Sequence, residues 1–415
     1  MSVGFSRIEG HLVCDGVSLA DAASGFGTPL YLYSRAALEE AYRSYDRAFA
    51  AVPHRIHYAV KANASLGLLQ VLRHLGAGVD VVSGFELLAA RRAGFRADDV
   101  VFAGVGKSEA EIALGLEHGI LHFNAESEDE IRRIGALAVR RGQRARVSLR
   151  VNPDIDPRSH PYISTGLREN KFGVDIAQAP AILARAREVA GITLVGLQCH
   201  IGSQITDLRP LGEAARALAA LSRRLVSEGF GLEMLDLGGG LGVDYEGGAS
   251  PRPQDLAASI VPALEGLGLT LLLEPGRSLV ASAGVLLTRV LYVKENHGKR
   301  FVIVDAGMND LLRPALYQAY HRIEPVSPAT APFGSADVVG PVCETGDFLA
   351  KDRELPTVQG GDLLAVRDAG AYAFAMASNY NLRPRPAEVM VEGGEVRLLR
   401  RRETFEDLVR TEAME

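Results

Sequence analysis

Eight short apolar runs, each leading into a helix-like stretch, constrain the fold of this chain more than any other feature. They are Ile56–Val60, Val79–Val82, Val100–Ala103, Leu121–Asn124, Val147–Val151, Leu194–Cys199, Met234–Leu237 and Leu269–Leu273. The segments between them are rich in Ala, Leu, Arg and Glu at helical spacing, as in Asp129–Arg141 and Pro210–Glu228. Runs recurring mostly every roughly 20 to 45 residues read as parallel strands joined by helices. Eight such units in series predict a (β/α)8 barrel over residues 30–280; an open, doubly wound sheet would satisfy the same rhythm. The residues at the end of each run favour the barrel. Lys61-Ala62-Asn63, Ser83-Gly84-Phe85-Glu86, Gly104-Val105-Gly106-Lys107, Glu126-Ser127, Asn152-Pro153-Asp154, His200-Ile201-Gly202-Ser203, Gly238-Gly239-Gly240 and Glu274-Pro275-Gly276-Arg277 all sit just past a strand. Polar and glycine residues gathered at the carboxyl ends of strands mark the catalytic face of a barrel.

Beyond about residue 280 the helical rhythm fades. Short β-rich runs take over: Gly284–Val293, Arg300–Val304, Ala336–Val339, Asp362–Val366, Glu388–Val391 and Glu395–Leu399. They predict a second, mostly β domain. The stretch Gly10–Leu19 alternates like a strand and is expected to join it, so that residues 1–29 and 281–415 form one discontinuous domain. Glu324–Gly334 reads as an exposed loop.

Bulk properties narrow the function classes. The net charge is −6 with no basic block, which argues against a nucleic-acid partner. No uncharged apolar stretch approaches the length of a membrane span, and Met1–Arg7 lacks a signal-peptide pattern. Cys14, Cys199 and Cys343 lie far apart with no CxxC pair, which argues against a zinc site or a disulfide framework and fits a reducing cytoplasm.

Within this frame one lysine stands out. The chain has 6 lysines against 39 arginines, and Lys61 ends the first apolar run. An amine held where a strand meets a loop, partly desolvated, can condense with an aldehyde; a surface lysine at a strand end is the plainer alternative. The other residues past the strands supply what pyridoxal phosphate would need. Gly239 and Gly240, in the Gly238–Gly240 triplet, let bare backbone approach a phosphate, although such a triplet also makes an ordinary tight turn. Ser203 and the Gly276 N–H would complete that cradle. Glu274 could hold a pyridine nitrogen protonated, or serve in an ion pair with Arg277. His200 is flat enough to stack on a ring. In the β-rich half, Cys343 beside Glu344 lies in a loop bounded by Gly and Pro, where a thiol could return a proton to carbon. Arg313 and Tyr317, four apart, could share one helical face and hold a carboxylate.

Taken together these segments resemble the alanine-racemase-like (fold type III) pyridoxal phosphate decarboxylases. The resemblance rests on Tyr58–Asn63, Asn152–Asp154, His160–Gly166, Lys171–Gly173, Cys199–Ser203, Gly238–Gly240 and Glu274–Arg277, then Val304–Gly307, Arg313–Tyr317, Gly340–Asp347, Asp368–Tyr372 and Ser378–Asn381, in the family's order over nearly the whole chain. It implies pyridoxal 5'-phosphate on Lys61, with His200 on the ring and Glu274 at the ring nitrogen. Ser203, Gly239, Gly240, Gly276 and Tyr372 would serve the phosphate. Arg277, Arg313, Tyr317 and Tyr372 would line the substrate's far end. It also implies a homodimer, with Cys343 and Glu344 reaching the site from the other subunit. Two arginines with Glu344 fit an amino-acid substrate bearing a distal carboxylate and amine. Release of CO2 from meso-2,6-diaminopimelate to leave L-lysine is the reaction expected. Decarboxylation of ornithine, arginine, a carboxylated polyamine or a carrier-bound amino acid is the alternative on the same scaffold. A pyridoxal-binding regulator without turnover is a rival of another class, opposed by the presence of both Lys61 and Cys343. A racemase would place an arginine where Glu274 stands. One departure from the family pattern is Phe85, where a second glycine is usual, near the expected pocket.

Overall fold

The computed structural model of the chain describes residues 3–156, 170–329 and 332–413. His160–Gly166, one of the segments carrying the resemblance, lies outside them. The chain divides into two compact units, Tyr42–Val243 with Ser250–Ser278, and Met1–Ala41 with Asp244–Ala249 and Leu279–Glu415.

The first unit is a closed parallel barrel. Its strands are His54–Ala59, Gly78–Val81, Val100–Phe102, His122–Ala125, Ala145–Asn152, Ile192–Gln198, Met234–Asp236 and Thr270–Leu273, one for each of the eight apolar runs. Each pairs in parallel with the next, and Leu271 of the last strand pairs with His54 of the first, which closes the ring. Closure rules out the open doubly wound sheet, which would leave two edges. Val101, Val195, Met234 and Leu272, from four different strands, pack together as one buried apolar cluster. Burying each such side chain contributes about 1.5–3 kcal/mol.

Three consecutive strand-to-helix turns share one local device. Ser83, Ser108 and Ser127 each precede a helix, and each hydroxyl accepts the backbone N–H of the glutamate three residues on: Glu86, Glu111 and Glu130. A capped start of this kind is worth about 1 kcal/mol and fixes where the loop ends. Gly94 and Gly119 close the first two of these helices in the left-handed region, at φ 96° and 65°.

The second unit is built on a nine-stranded sheet. Gly284–Asn296 is its longest strand. Its first half, Gly284–Leu287, pairs antiparallel with Leu30–Ser34, and its second half forms a hairpin with Lys299–Val304. Leu30–Ser34 then pairs in parallel with Ala387–Glu392, and Glu395–Arg400 lies beyond. On the other side, Phe333–Val339 and Phe348–Pro356 extend the sheet past Lys299–Val304. The core gathers Leu19, Leu30, Leu32, Val285, Leu287 and Val389.

Four details depart from the sequence reading. Residues 30–34, expected to begin the barrel, form a fully buried strand of this sheet. Tyr31 and Tyr33 anchor it, their hydroxyls donating to the Asp310 carbonyl at 2.6 Å and the Glu388 carboxylate at 2.7 Å. Gly10–Leu19 is not one strand: the turn at Asp15-Gly16 splits it into His11–Cys14 and Val17–Ser18, which join Phe5–Ile8 in a separate three-stranded sheet. Glu324–Gly334 is not all loop, since Ile323–Pro325 pairs with Leu363–Val366 and the strand Phe333–Val339 covers its end. Phe348–Pro356 was not foreseen at all, because Lys351-Asp352-Arg353-Glu354 hides its apolar residues.

Candidate active site

The carboxyl ends of the barrel strands form a cavity of about 430 Å³, lined by Lys61, Arg150, Phe172, Gln198, His200 and Glu274 among others. Lys61 belongs to a single 3-10 turn, Val60–Ala62, directly after the first strand. Val60 and Ala62 are buried, so the backbone beneath the lysine is fixed. Its Nζ donates to Asp80 Oδ2 at 2.9 Å; the lysine side chain is 37 % exposed while that of Asp80 is sealed. The amine is therefore aimed, and still open to the cavity.

Lys107, the other lysine just past a barrel strand, is the opposite case. Its side chain is buried and its Nζ is saturated by the Gly104 and Asn124 carbonyls and the Glu130 carboxylate, at 2.8, 2.8 and 2.7 Å. Three donors with three acceptors leave nothing for an aldehyde. Lys171 is exposed, its Nζ 5.2 Å from the centre of the Phe172 ring.

Glu274 is buried at the end of the eighth strand. Its carboxyl receives Asn124 Nδ2 at 3.3 Å on one oxygen and Gln198 Nε2 at 3.1 Å on the other. Burial, with the Asp236 and Asp80 carboxylates nearby, pushes its pKa well above the usual range, against an opposing pull from Lys61. Asp236 is held in the same network: it accepts the Gly238 N–H at 2.8 Å and lies 3.4 Å from Asn124 Nδ2. Burial pushes its pKa up to about 6. A raised carboxyl pKa shifts the balance of Glu274 towards the neutral acid, the form that can give a proton to a basic partner.

His200 presents a neutral imidazole. Burial, then Lys61 and Arg150, push its pKa well below the ordinary value. Its Nδ1 accepts the Gly239 N–H at 3.2 Å, which places the ring proton on Nε2. Arg150 is fixed by a buried ion pair with Glu126 at 2.8 Å, stacks 4.7 Å over the Phe172 ring, and donates to the His200 carbonyl at 3.3 Å.

The glycines are required by close packing. A Cβ on Gly239 would lie 2.3 Å from the Glu274 carbonyl, and one on Gly240 2.5 Å from the Gly202 carbonyl. The N–H groups of Gly238 and Gly239 are spent on Asp236 and His200. Those of Gly240 and Gly276 make no hydrogen bond among the described residues. Nearby, Arg277 donates to the Ser203 hydroxyl at 3.1 Å. Two unspent N–H groups, a hydroxyl and a guanidinium are the donor set an anion such as a phosphate requires. The amine, imidazole face and buried carboxyl of the cavity fit an aromatic aldehyde with a basic ring nitrogen. The residues present therefore fit pyridoxal phosphate.

The remaining candidates belong to the second unit. Arg313 starts a five-residue helix, Arg313–Tyr317, that also carries the half-buried Tyr317. The Arg313 guanidinium lies 2.7 Å from His321 Nε2 and 4.3 Å above the Tyr245 ring. Because His321 Nδ1 faces the Arg367 carbonyl at 2.8 Å, Nε2 is the acceptor for the arginine. Tyr372 adopts a left-handed φ of 53°, rare for an aromatic residue and a mark of local strain. Cys343 and Glu344 are exposed neighbours in the loop between two strands, whereas Cys14 and Cys199 are buried, and burial raises both their pKa values. Phe85 does not line the cavity. It is 85 % exposed on the first turn of its helix, and Val82 and Glu111 form the wall nearby.

Sequence reasoning missed Asp80, Asn124, Arg150, Gln198 and Asp236. Each is a polar residue within or ending a largely apolar barrel strand, the lone one in Gly78–Val81 and Met234–Asp236 and one of several in Ala145–Asn152, and that interruption was the available signal. Among the described residues no helix is long and apolar enough to cross a membrane, and no group of His, Cys, Asp or Glu is placed to hold a metal ion.

Comparison with known proteins bears on the same cavity. A family profile described as "Pyridoxal-dependent decarboxylase, pyridoxal binding domain" matches residues 35–281. The chain is 52% identical to diaminopimelate decarboxylase of Pseudomonas aeruginosa, over 99% of both chains. Its fold superposes on the crystal structure of diaminopimelate decarboxylase from Helicobacter pylori complexed with L-lysine, with a TM-score of 0.92 at 45% identity, covering 95% of this chain and 98% of that one. The M. jannaschii enzyme in co-complex with L-lysine gives 0.95 at 39% identity, covering 99% and 98%.

Proposed function

The chain belongs to the pyridoxal-dependent decarboxylases, and on that premise we propose that it removes CO2 from meso-2,6-diaminopimelate to give L-lysine, the closing step of lysine biosynthesis. The observation that carries this reading is the shared cavity of Lys61, His200 and Glu274, with a partly exposed amine, a ring whose pKa is pushed down and a carboxyl whose pKa is pushed up. Substrate identity is supported by the diaminopimelate decarboxylases that the chain matches over its full length.

When bound, the cofactor supplies an aldehyde for the substrate amine and a ring that takes up the electron pair left as the bond to the carboxylate breaks. The chain does the rest. Lys61 Nζ would hold the cofactor's aldehyde end, and Asp80 keeps that amine in place. Glu274, steadied by Asn124 and Gln198, would face the ring nitrogen and hold a proton there. His200 would offer the flat face of its imidazole to the ring. Ser203, Gly239, Gly240, Gly276, Arg277 and Tyr372 hold the phosphate end. CO2 departs with both its oxygens. The Cys343 S–H bond then breaks to form the new C–H bond at the substrate carbon, and the thiolate recovers a proton from water. Arg277, Arg313 and Tyr317 hold the distal carboxylate, and Glu344 the distal ammonium. Cys343 and Glu344 come from a second copy of the chain in a homodimer. Three free thiols suit the reducing cytoplasm, which cell fractionation would check.

The test is CO2 release from a panel of amino acids. Diaminopimelate is expected to exceed lysine and ornithine in kcat/KM by at least about 1000-fold, because a site built to pair a carboxylate rejects analogues that leave its arginines facing nothing. A preference for ornithine or arginine would overturn the substrate assignment and leave the decarboxylase chemistry standing.

A further inference from the structure

We propose that Asn381 is a positioning residue for the Cys343 proton donor, its side-chain oxygen fixing the backbone from which the thiol projects. This role rests on Cys343 being the proton donor, as proposed for the reaction. The loop Gly340–Asp347 is tied down at its base by one buried carboxylate. Asp347 accepts the N–H groups of Val342 and Met308, each at 2.6 Å, and its own N–H donates to the Glu344 carbonyl at 3.0 Å. Only the tip, Cys343-Glu344-Thr345, is exposed. At that tip the Cys343 N–H donates to Asn381 Oδ1 at 2.7 Å, and the Tyr380 hydroxyl donates to Glu344 Oε2 at 3.3 Å. Two consecutive residues thus hold the two consecutive residues that carry chemistry.

The segment supplying these contacts is itself strained and braced. Asn381 and Leu382 both sit in the left-handed region, at φ 54° and 56°. Asn tolerates this conformation and Leu does not, so the surroundings must impose it. Asn379 does so from one side, its Nδ2 donating to the Arg383 carbonyl at 3.0 Å and to Glu403 at 2.7 Å. The Ser378 N–H donates to the Asn309 carbonyl at 2.8 Å. The Asn381 side-chain oxygen is used on Cys343.

A misplaced thiol has a definite chemical consequence. After CO2 leaves, the proton must reach the substrate carbon. If it is delivered instead to the cofactor carbon, water then releases the product as an aldehyde and leaves the cofactor carrying the substrate nitrogen as an amine. The substrate carbon is oxidised and the cofactor reduced by the same electron pair, so more CO2 is formed than lysine.

Asn381→Gly keeps the left-handed backbone accessible and removes the acceptor. In the holoenzyme we expect amide exchange at Cys343 to quicken at least about 10-fold and kcat to fall about 10-fold with KM within about twofold. The ratio of CO2 to lysine should rise above one. Asn381→Asp, which keeps the oxygen and favours the protonated thiol, should restore both the slow exchange and the ratio. Should Asn381→Gly fail to fold, Asn381→Ser carries the same test, because its shorter side chain does not span to the Cys343 N–H. Faster exchange with kcat unchanged and a ratio of one, beside a crippled Cys343→Ala, would overturn the positioning role alone. A Cys343→Ala enzyme with normal lysine yield would overturn the reading of Cys343 beneath it.

Discussion

The barrel's strand ends and the exposed loops of the β-rich unit hold their reactive residues in contrasting ways. In the barrel, Glu274, Asp236, Asn124 and Gln198 are buried and hydrogen-bonded to one another, and Lys61 is aimed by a sealed Asp80. In the β-rich unit, Cys343 and Glu344 are exposed, and what holds them is an asparagine side-chain oxygen, a tyrosine hydroxyl and a carboxylate at the loop base. Electrostatics explains the division. A low-dielectric barrel can set the charge of an acid before any ligand arrives, as the raised pKa of Glu274 shows. A thiol proposed to deliver a proton late has more use for access than for burial. In the proposed function the barrel carries the electronic part of the reaction, and the β-rich unit of a second copy of the chain is proposed to finish it.

The comparison breaks first if both sets act within one chain. Lys61→Ala and Cys343→Ala homodimers are each expected to lose nearly all turnover. Mixed in equal amounts with subunit exchange demonstrated, they should recover up to roughly a quarter of wild-type activity, since one heterodimer site is intact. No recovery would place both residues in the same chain's site. Next in size is Glu274→Gln, which keeps the shape and abolishes the proton exchange with the ring nitrogen. Cofactor should still bind, with turnover down at least about 100-fold, or about 2.7 kcal/mol of barrier. Near-normal turnover would make Glu274 a structural residue and dissolve the contrast with the β-rich unit.

Legibility in the sequence divides along the same line. The eight barrel strands could be read because each is a compact apolar run, and the residues just past them announced the catalytic face. The polar network behind that face could not be read. Asn124 reaches Asp236 across 112 positions and Glu274 across 150, and sequence spacing carries no trace of either contact. A lone Asp or Asn in an apolar strand looks like an interruption until closure of the barrel brings its partners in. In the β-rich unit, Leu30–Ser34 was assigned to the wrong unit because its neighbours in the sheet lie more than 250 residues away in the chain. Phe348–Pro356 was hidden by charged residues on its exposed positions. Phe85 shows the reverse error, since its place in the sequence put it beside the pocket and the helix turns it outward.

Everything proposed for the reaction depends on Lys61 as the residue that holds the cofactor, and reductive trapping tests this most directly. The holoenzyme should absorb in the visible, borohydride should bleach that band, and digestion followed by mass spectrometry should find the cofactor fixed to Lys61 alone. A label on Lys107 or Lys171 with Lys61 unmodified would contradict this assignment.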